Sequence, residues 1–254
     1  MILQALTAYY EQLLRQGKIA APGWDGHFKV SYELRLNDAG QLVDVVDLRV
    51  SETKGKKTVI VPRELRVPEH KKRTSGVFAY FLCDKASYIF GMDETGCTVR
   101  TRQCFDACSA LHHSILRGID TPAAKAILRY FDHWNPSASS MHPLLAPIWK
   151  ELTGNVNLVL SYESSNHTHL FTTEETAIQS AWETYYFSSQ NDSPAACCLI
   201  TGKHSPIALV HSNIKGVPGT KSTGGALVSF KNPSTHSYGH EQGENAPVSE
   251  YAAF

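Results

Sequence analysis

The chain has 254 residues, and its 24 lysines and arginines balance its 24 aspartates and glutamates. With 42% hydrophobic, 10% aromatic and 19% charged residues, it has the make-up of a folded protein with a sizeable core, which excludes collagen, a disordered tail and a coiled coil. No run of about 18 apolar residues occurs, and the amino terminus lacks the basic start and apolar stretch of a secretion signal, so an intracellular protein is expected.

Ile2, Leu3, Leu6, Tyr9, Tyr10, Leu13 and Leu14 fall on one stripe at helical spacing, which predicts an amphipathic helix packed on a core. Residues 28–36 alternate, with Phe28, Val30, Tyr32, Leu34 and Leu36 on one side and Lys29, Ser31, Glu33 and Arg35 on the other. That pattern predicts a half-buried strand. The turn Asn37-Asp38-Ala39-Gly40 leads into a strand at 42–50, and a charged link leads into another at 58–61, an antiparallel meander. Helical spacing of Phe105, Cys108, Leu111 and Ile115 predicts a helix over 98–117 that stops at Gly118. Thr121 caps a second helix with Pro122 in its first turn, which buries Ile127, Leu128, Phe131 and Trp134 and ends before Asn135-Pro136.

Residues 136–147 form a Pro/Ser-rich connector, and a subdivision into 1–135 and 148–254 is expected there. A strand at 156–160 follows, then a capping box of Thr172 and Glu175 for a helix through Ala181, Trp182 and Tyr185. Runs 195–200, 206–210 and 226–230 read as short buried strands. Helices and strands mix without a βαβ rhythm, so the fold class is α+β, an antiparallel sheet meander with packed helices. Residues 245–254 begin like a capped helix and stop within barely two turns, so a fragment of a longer protein is expected. The cysteines Cys83, Cys97, Cys104, Cys108, Cys197 and Cys198 sit among apolar neighbours without a framework spacing, as in a reducing compartment.

Charge is distributed unevenly. Residues 50–76 hold eight basic side chains, Lys54, Lys56, Lys57, Arg63, Arg66, Lys71, Lys72 and Arg73, against three acidic ones. Residues 203–231 hold Lys203, Lys215, Lys221 and Lys231 and no carboxylate. The second stretch is also rich in Gly, Ser, Thr and Asn, residues that let backbone N–H groups approach phosphate oxygens. A solvated surface loop has the same composition, and two acid-poor basic runs in a neutral chain make a nucleic-acid grip an equally strong reading.

No coherent active site emerges. Gly216-Val-Pro-Gly-Thr-Lys221-Ser222 lacks the P-loop spacing, and no HExxH or Gly-x-Ser-x-Gly occurs. Cys104, Cys108 and His112 share a helical face, but the first and third are about 12 Å apart along the axis, which favours core packing over one zinc. His167 and His169 fit exposed loop histidines better than a catalytic pair. No catalytic residue, metal or cofactor is expected.

Three stretches resemble the large subunit of the type I-C CRISPR interference complex, Cascade. They are Met1-Ile-Leu-Gln-Ala-Leu with Tyr9-Tyr10; Lys72-Arg73-Thr74-Ser75-Gly76 with Phe81-Leu82-Cys83-Asp84 and Tyr88-Ile-Phe-Gly91; and Ile214-Lys-Gly-Val-Pro-Gly219 through Ser222, Leu227-Val-Ser-Phe230, Ser237-Tyr-Gly239, Gln242-Gly243 and Asn245-Ala-Pro247. The resemblance implies that residues 1–254 form the PAM-recognition domain of a longer, non-catalytic subunit in the prokaryotic cytoplasm. It further implies reading of the PAM duplex, help with R-loop formation and recruitment of a helicase-nuclease. Implied partners are double-stranded target DNA, the crRNA 5′ end, the crRNA-processing subunit and the backbone subunits, with a phage anti-CRISPR protein as a conceivable addition. Lys85, Lys221 and Lys231 depart from the family pattern, and each departure adds a cation.

On this reading Lys54, Lys56, Lys57, Lys71, Lys72, Arg73, Lys215, Lys221 and Lys231 hold phosphates, while Thr74, Ser75, Asn213, Ser222 and Asn232 are candidates for base edges. The two basic stretches are expected to converge on one duplex. A scaffold touching only crRNA and neighbouring subunits is the alternative, and a metal-dependent nuclease built on His167, His169 and carboxylates is a weaker one.

Overall fold

The computed structural model describes residues 2–253 apart from 56, 71–72, 74–75, 189–193, 212, 215–216, 222–223 and 231–238, and only the backbone of Lys54. The fold is α+β, in two compact units: Gly23–Tyr185, and Met1–Pro22 together with Tyr186–Phe254. The connector at 136–147 does not separate them. It lies inside the larger unit as two 3-10 turns, Pro136–Met141 and Ala146–Ile148, with Ser139 of the first and Leu145, just before the second, completely buried.

In the larger unit the alternating run at 28–36 does not stay one strand. Ser31 breaks it: its N–H donates to the Asn157 carbonyl at 3.0 Å and its own carbonyl accepts from Leu48 N–H at 2.9 Å. The chain before the break, β1 (Trp24–Val30), pairs with β6 (Arg63–Pro68), while β2 (Tyr32–Leu36) enters a different sheet. There β2 lies between β3 (Leu42–Asp47), antiparallel, and β8 (Leu158–Glu163), parallel with Tyr32 opposite Leu158 and Leu36 opposite Tyr162. Two short strands, β7 (Cys83–Asp84) and β9 (His169–Phe171), complete the sheet on β8. The expected meander therefore holds for β2 and β3 only.

Both faces of β2 are covered, so the side expected to be solvated is not. Glu33 is 1% exposed. Its carboxylate accepts from Ser161 Oγ at 2.6 Å and Arg35 Nε at 3.0 Å, and it pairs with His169 Nε2. Burial pushes this carboxyl up, but those bonds and the His169 charge outweigh it and hold it below the usual carboxylate range.

The helices follow the sequence reading closely. The α2 turn (Ala86–Ile89) precedes α3 (Val99–Leu116), where Thr98 accepts from Thr101 N–H at 3.1 Å, and α4 (Pro122–His133), where Thr121 accepts from Ala124 N–H at 3.3 Å. The Asn37 turn packs on α4 through Gly40, whose φ is +74°. A Cβ there would sit 2.6 Å from Arg129 Cβ and Tyr130 N, so only glycine fits. A short helix, α5 (Trp149–Leu152), leads into β8. The capping box at Thr172 does not form: its hydroxyl donates to the Leu160 carbonyl, and α6 (Thr176–Ser188) starts later.

In the smaller unit α1 (Ile2–Arg15) is helical as expected, but none of its residues is buried, and Ile2 and Tyr9 are 63% and 58% exposed. The predicted packing is partial: Leu3, Tyr10, Leu13 and Leu14 are half-buried, and the Tyr10 ring meets that of Tyr251 at 6.2 Å. A two-stranded pair, β10 (Ala195–Cys197) with β11 (His204–Pro206), follows. The run 226–230 is no strand; the adjoining Gly225 bridges Ile214 instead. Ile207 bridges Ser249, just before α7 (Glu250–Ala253). Cys197 is exposed and Cys198 buried, both as free thiols. Among the described residues no helix is long and apolar enough to cross a membrane.

Candidate nucleic-acid interface

The first basic stretch builds a two-stranded ribbon, β4 (Val50–Lys54) and β5 (Lys57–Val61), which joins no other sheet among the described residues. The register runs from Val50 opposite Val61 to Lys54 opposite Lys57. A two-residue turn needs positive φ, and Gly55 supplies it at +66°. Val50, Ser51, Glu52, Thr53, Lys57, Thr58 and Ile60 are exposed, with Val59 and Val61 half-buried.

Such a ribbon is marginal in water by itself, so its root must be held. Arg49, just before β4, donates to Asp47 Oδ2 at 2.6 Å and Glu151 Oε2 at 2.7 Å, and lies 4.8 Å from the Tyr32 ring centroid. Tyr32 OH donates to the same Glu151 oxygen at 2.7 Å. Leu48 and β6 residue Val67 sit in the core with Val30, Cys83 and Val159. The ribbon thus leaves a fixed base and ends, in register, at the pair of positions 54 and 57 beside Gly55.

Arg73 behaves differently from its expected role as a phosphate contact. Its guanidinium is sandwiched between the Tyr80 and Tyr88 rings, 3.8 and 3.9 Å from the two centroids. It donates to Asp84 Oδ2 at 2.5 Å and to the Phe78 carbonyl at 2.6 Å. Asp84 is 1% exposed and also accepts from Tyr80 N–H at 2.8 Å and Lys85 N–H at 2.7 Å. Burial pushes the Asp84 carboxyl up, against the pull of Arg73 and the two amides. Arg73 is an internal tie, because breaking it would strand a buried carboxylate.

Nearby contacts reinforce the tie. Phe78 N–H donates to Tyr88 OH at 3.2 Å, and Arg100 from α3 donates to the Gly76 carbonyl at 3.3 Å. His70 stacks on Tyr80 at 4.0 Å and meets Phe28 at 3.9 Å; burial, then the Arg73 charge, pulls its pKa down to about 3. Beneath them Leu82 has φ +60°, a left-handed backbone that costs a branched L-residue about 1–2 kcal/mol. It is held there by its N–H donating to His112 Nε2 at 3.0 Å and its carbonyl accepting from Leu160 N–H at 2.9 Å. His112 Nδ1 donates to the Cys108 carbonyl at 2.7 Å, so both ring nitrogens are taken and the Cys104, Cys108 and His112 face is core. The other histidine pair separates, with His167 on Glu163 at 3.0 Å and His169 on Glu33.

The second basic stretch lies in the smaller unit, the first in the larger. Ile214 and Gly225 exchange two backbone bonds of 2.9 Å and close the loop between them. Gly224 turns at φ +92°, where a Cβ would meet the Ile214 carbonyl at 2.8 Å. Asn213 and Lys221 are exposed on this loop and its rim. Of the other candidates, Lys56, Lys71, Lys72, Thr74, Ser75, Lys215, Ser222, Lys231 and Asn232 lie outside the described residues. The sequence reading missed Asp84, Tyr80 and Tyr88; the only signal was that Asp84 and Tyr88 fall within motifs that had no assigned role.

The family model described as CRISPR-associated protein (Cas_Csd1) matches residues 6–254. None of the curated proteins matches the chain.

Proposed function

The chain belongs to the CRISPR-associated Cas_Csd1 family, and from that premise we propose that it is the DNA-recognition part of a type I-C Cascade large subunit, reading the PAM duplex without cutting it. The observation that carries this reading is the separate β4–β5 ribbon, whose register sets position 54 opposite Lys57 beside its turn in the basic stretch. A two-stranded ribbon fits the DNA major groove, and lysines at its end meet phosphates. Guide pairing reads the long target in RNA-guided effectors, so the protein needs only a short duplex motif and an electrostatic hold. That hold is sequence-blind and falls with salt, while each base-edge contact adds about 1–3 kcal/mol of discrimination. R-loop opening and helicase-nuclease recruitment in the prokaryotic cytoplasm complete the proposed role. Its proposed partners are the crRNA 5′ end, the crRNA-processing subunit and the backbone subunits, and a phage anti-CRISPR protein could cover the same face.

Competing PAM-matched against PAM-scrambled duplexes on the assembled complex tests this. A preference for the matched duplex is expected. Equal competition would leave the scaffold reading, in which the ribbon docks on a neighbouring subunit; Ile60 at 69% and Val50 at 44% exposure favour that second reading.

A further inference from the structure

Several of the described arginines are spent inside the protein. Arg35 and Arg49 pair with carboxylates, Arg73 pairs with Asp84, and Arg129 donates to the Asp38 carbonyl. Arg66 on β6 differs: it is exposed, and among the described residues its guanidinium makes no hydrogen bond or ion pair. It sits over the Trp24 ring, 4.4 Å from the centroid. That seat is firm, because Trp24 is 5% exposed and its Nε1 donates to Glu183 Oε1 at 3.1 Å.

The β1–β6 ladder keeps its own carboxylates away from Arg66. Its register shifts between Asp25 and Phe28, at the level of Arg66, and His27 from that shift engages both acids. The His27 N–H donates to Asp25 Oδ1 at 3.0 Å, and its Nδ1 lies 3.0 Å from Glu64 Oε2. Lys29 is exposed opposite Glu64, so by alternation it shares a face with Arg66. Only Pro62 separates β5 from β6, so Arg66 and the ribbon belong to one stretch of backbone.

We infer that Arg66, seated on Trp24 with Lys29 beside it, is a phosphate clamp that carries the duplex contact from the ribbon onto the β1–β6 face, with Trp24 as its positioning residue. The inference rests on the reading of the ribbon as DNA-facing. Stacking uses the face of a guanidinium and leaves the N–H groups on its edge open, where they match two phosphate oxygens at once. A cation already seated has less freedom to lose on binding.

Anisotropy of the assembled complex with a labelled duplex across a salt series tests the clamp. Arg66→Gln should weaken binding and make the slope shallower by about 0.9. Arg66→Lys keeps the charge and loses the paired donors, so binding roughly threefold weaker at the parent slope is expected. Trp24→Phe should do the same in the parent and cost nothing more beside Arg66→Gln, since the two act as one unit. If Lys54→Ala with Lys57→Ala weakens binding while Arg66→Gln matches the parent, the clamp is refuted and the DNA-facing reading stands. If both match the parent, that reading falls and the clamp with it; a loss by Arg66→Gln alone supports the clamp. Parent-like binding by Arg66→Lys refutes the paired grip, and an equal cost of Trp24→Phe in both backgrounds shows that it acts through the fold and refutes the seat. Arg66 is exposed, so its two variants decide the matter even if Trp24→Phe fails to fold. Lower crRNA retention by Arg66→Gln at parent duplex affinity would assign the phosphate to the guide and overturn the inference.

Discussion

Replacing Lys54 and Lys57 by alanine isolates the ribbon tip. The substitution spares the fold, because pairing from Val50 with Val61 to Thr53 with Thr58 is a backbone ladder and two like charges opposite each other repel. If each lysine neutralises one phosphate, each contributes about 0.9 to the slope of log affinity against log salt. Together they account for about 1.8 of it, so between about 50 and about 200 mM salt their share of the lost affinity is roughly 12-fold. Fluorescence anisotropy of the assembled complex with a labelled duplex should show a variant slope shallower by that amount. The loss should be equal for PAM-matched and scrambled DNA. An unchanged slope would remove the ribbon from the contact surface.

Burial holds the fully buried His112 neutral, with its pKa pulled down to about 4 from an ordinary value of 6.5. A depressed histidine contributes stability that is complete above about pH 6.5 and lost as pH falls to about 4, here about 3 kcal/mol. Urea unfolding at the two ends of that window checks the loss, and His112→Gln should flatten the pH dependence; parallel curves would contradict the assignment. Gly40→Ala should destabilise by about 2 kcal/mol or more, since it adds a left-handed alanine to a clash with the backbone of α4. A thermal midpoint within error of the parent would show that the turn can move away. Ser161→Ala removes the hydroxyl 2.6 Å from buried Glu33 and should cost about 1.5–3 kcal/mol in a denaturant melt, whereas a neutral result would mean water replaces it.

Local chemistry made much of this fold legible. Thr98 and Thr121 mark their helix starts by accepting bonds within one turn, Pro122 by its fixed φ, and Asn37 marks its turn by accepting from Ala39 and Gln41 N–H at 3.0 and 2.9 Å. The pairing of β2 with β8 was not legible, because nothing in Tyr32–Leu36 announces a parallel partner so far along the chain. Ser31 looked like one more polar position in an alternating run, and its role as a break depends on Asn157 and Leu48. The basic stretches were visible as charge. That Arg73 turns inward was not, because the carboxylate that claims it follows eleven residues later in sequence and becomes a neighbour only through the Leu82 turn.

A ribbon of only two strands has no interior: among the described residues each strand of β4–β5 keeps one edge unpaired by any other sheet strand. Exposed edges with Ile60 and Val50 on display invite strand addition by another copy of the chain, and lysines on such edges are a common deterrent. The cations proposed to hold DNA would then also keep the protein from self-associating, so selection for solubility and selection for target capture would act on the same few positions.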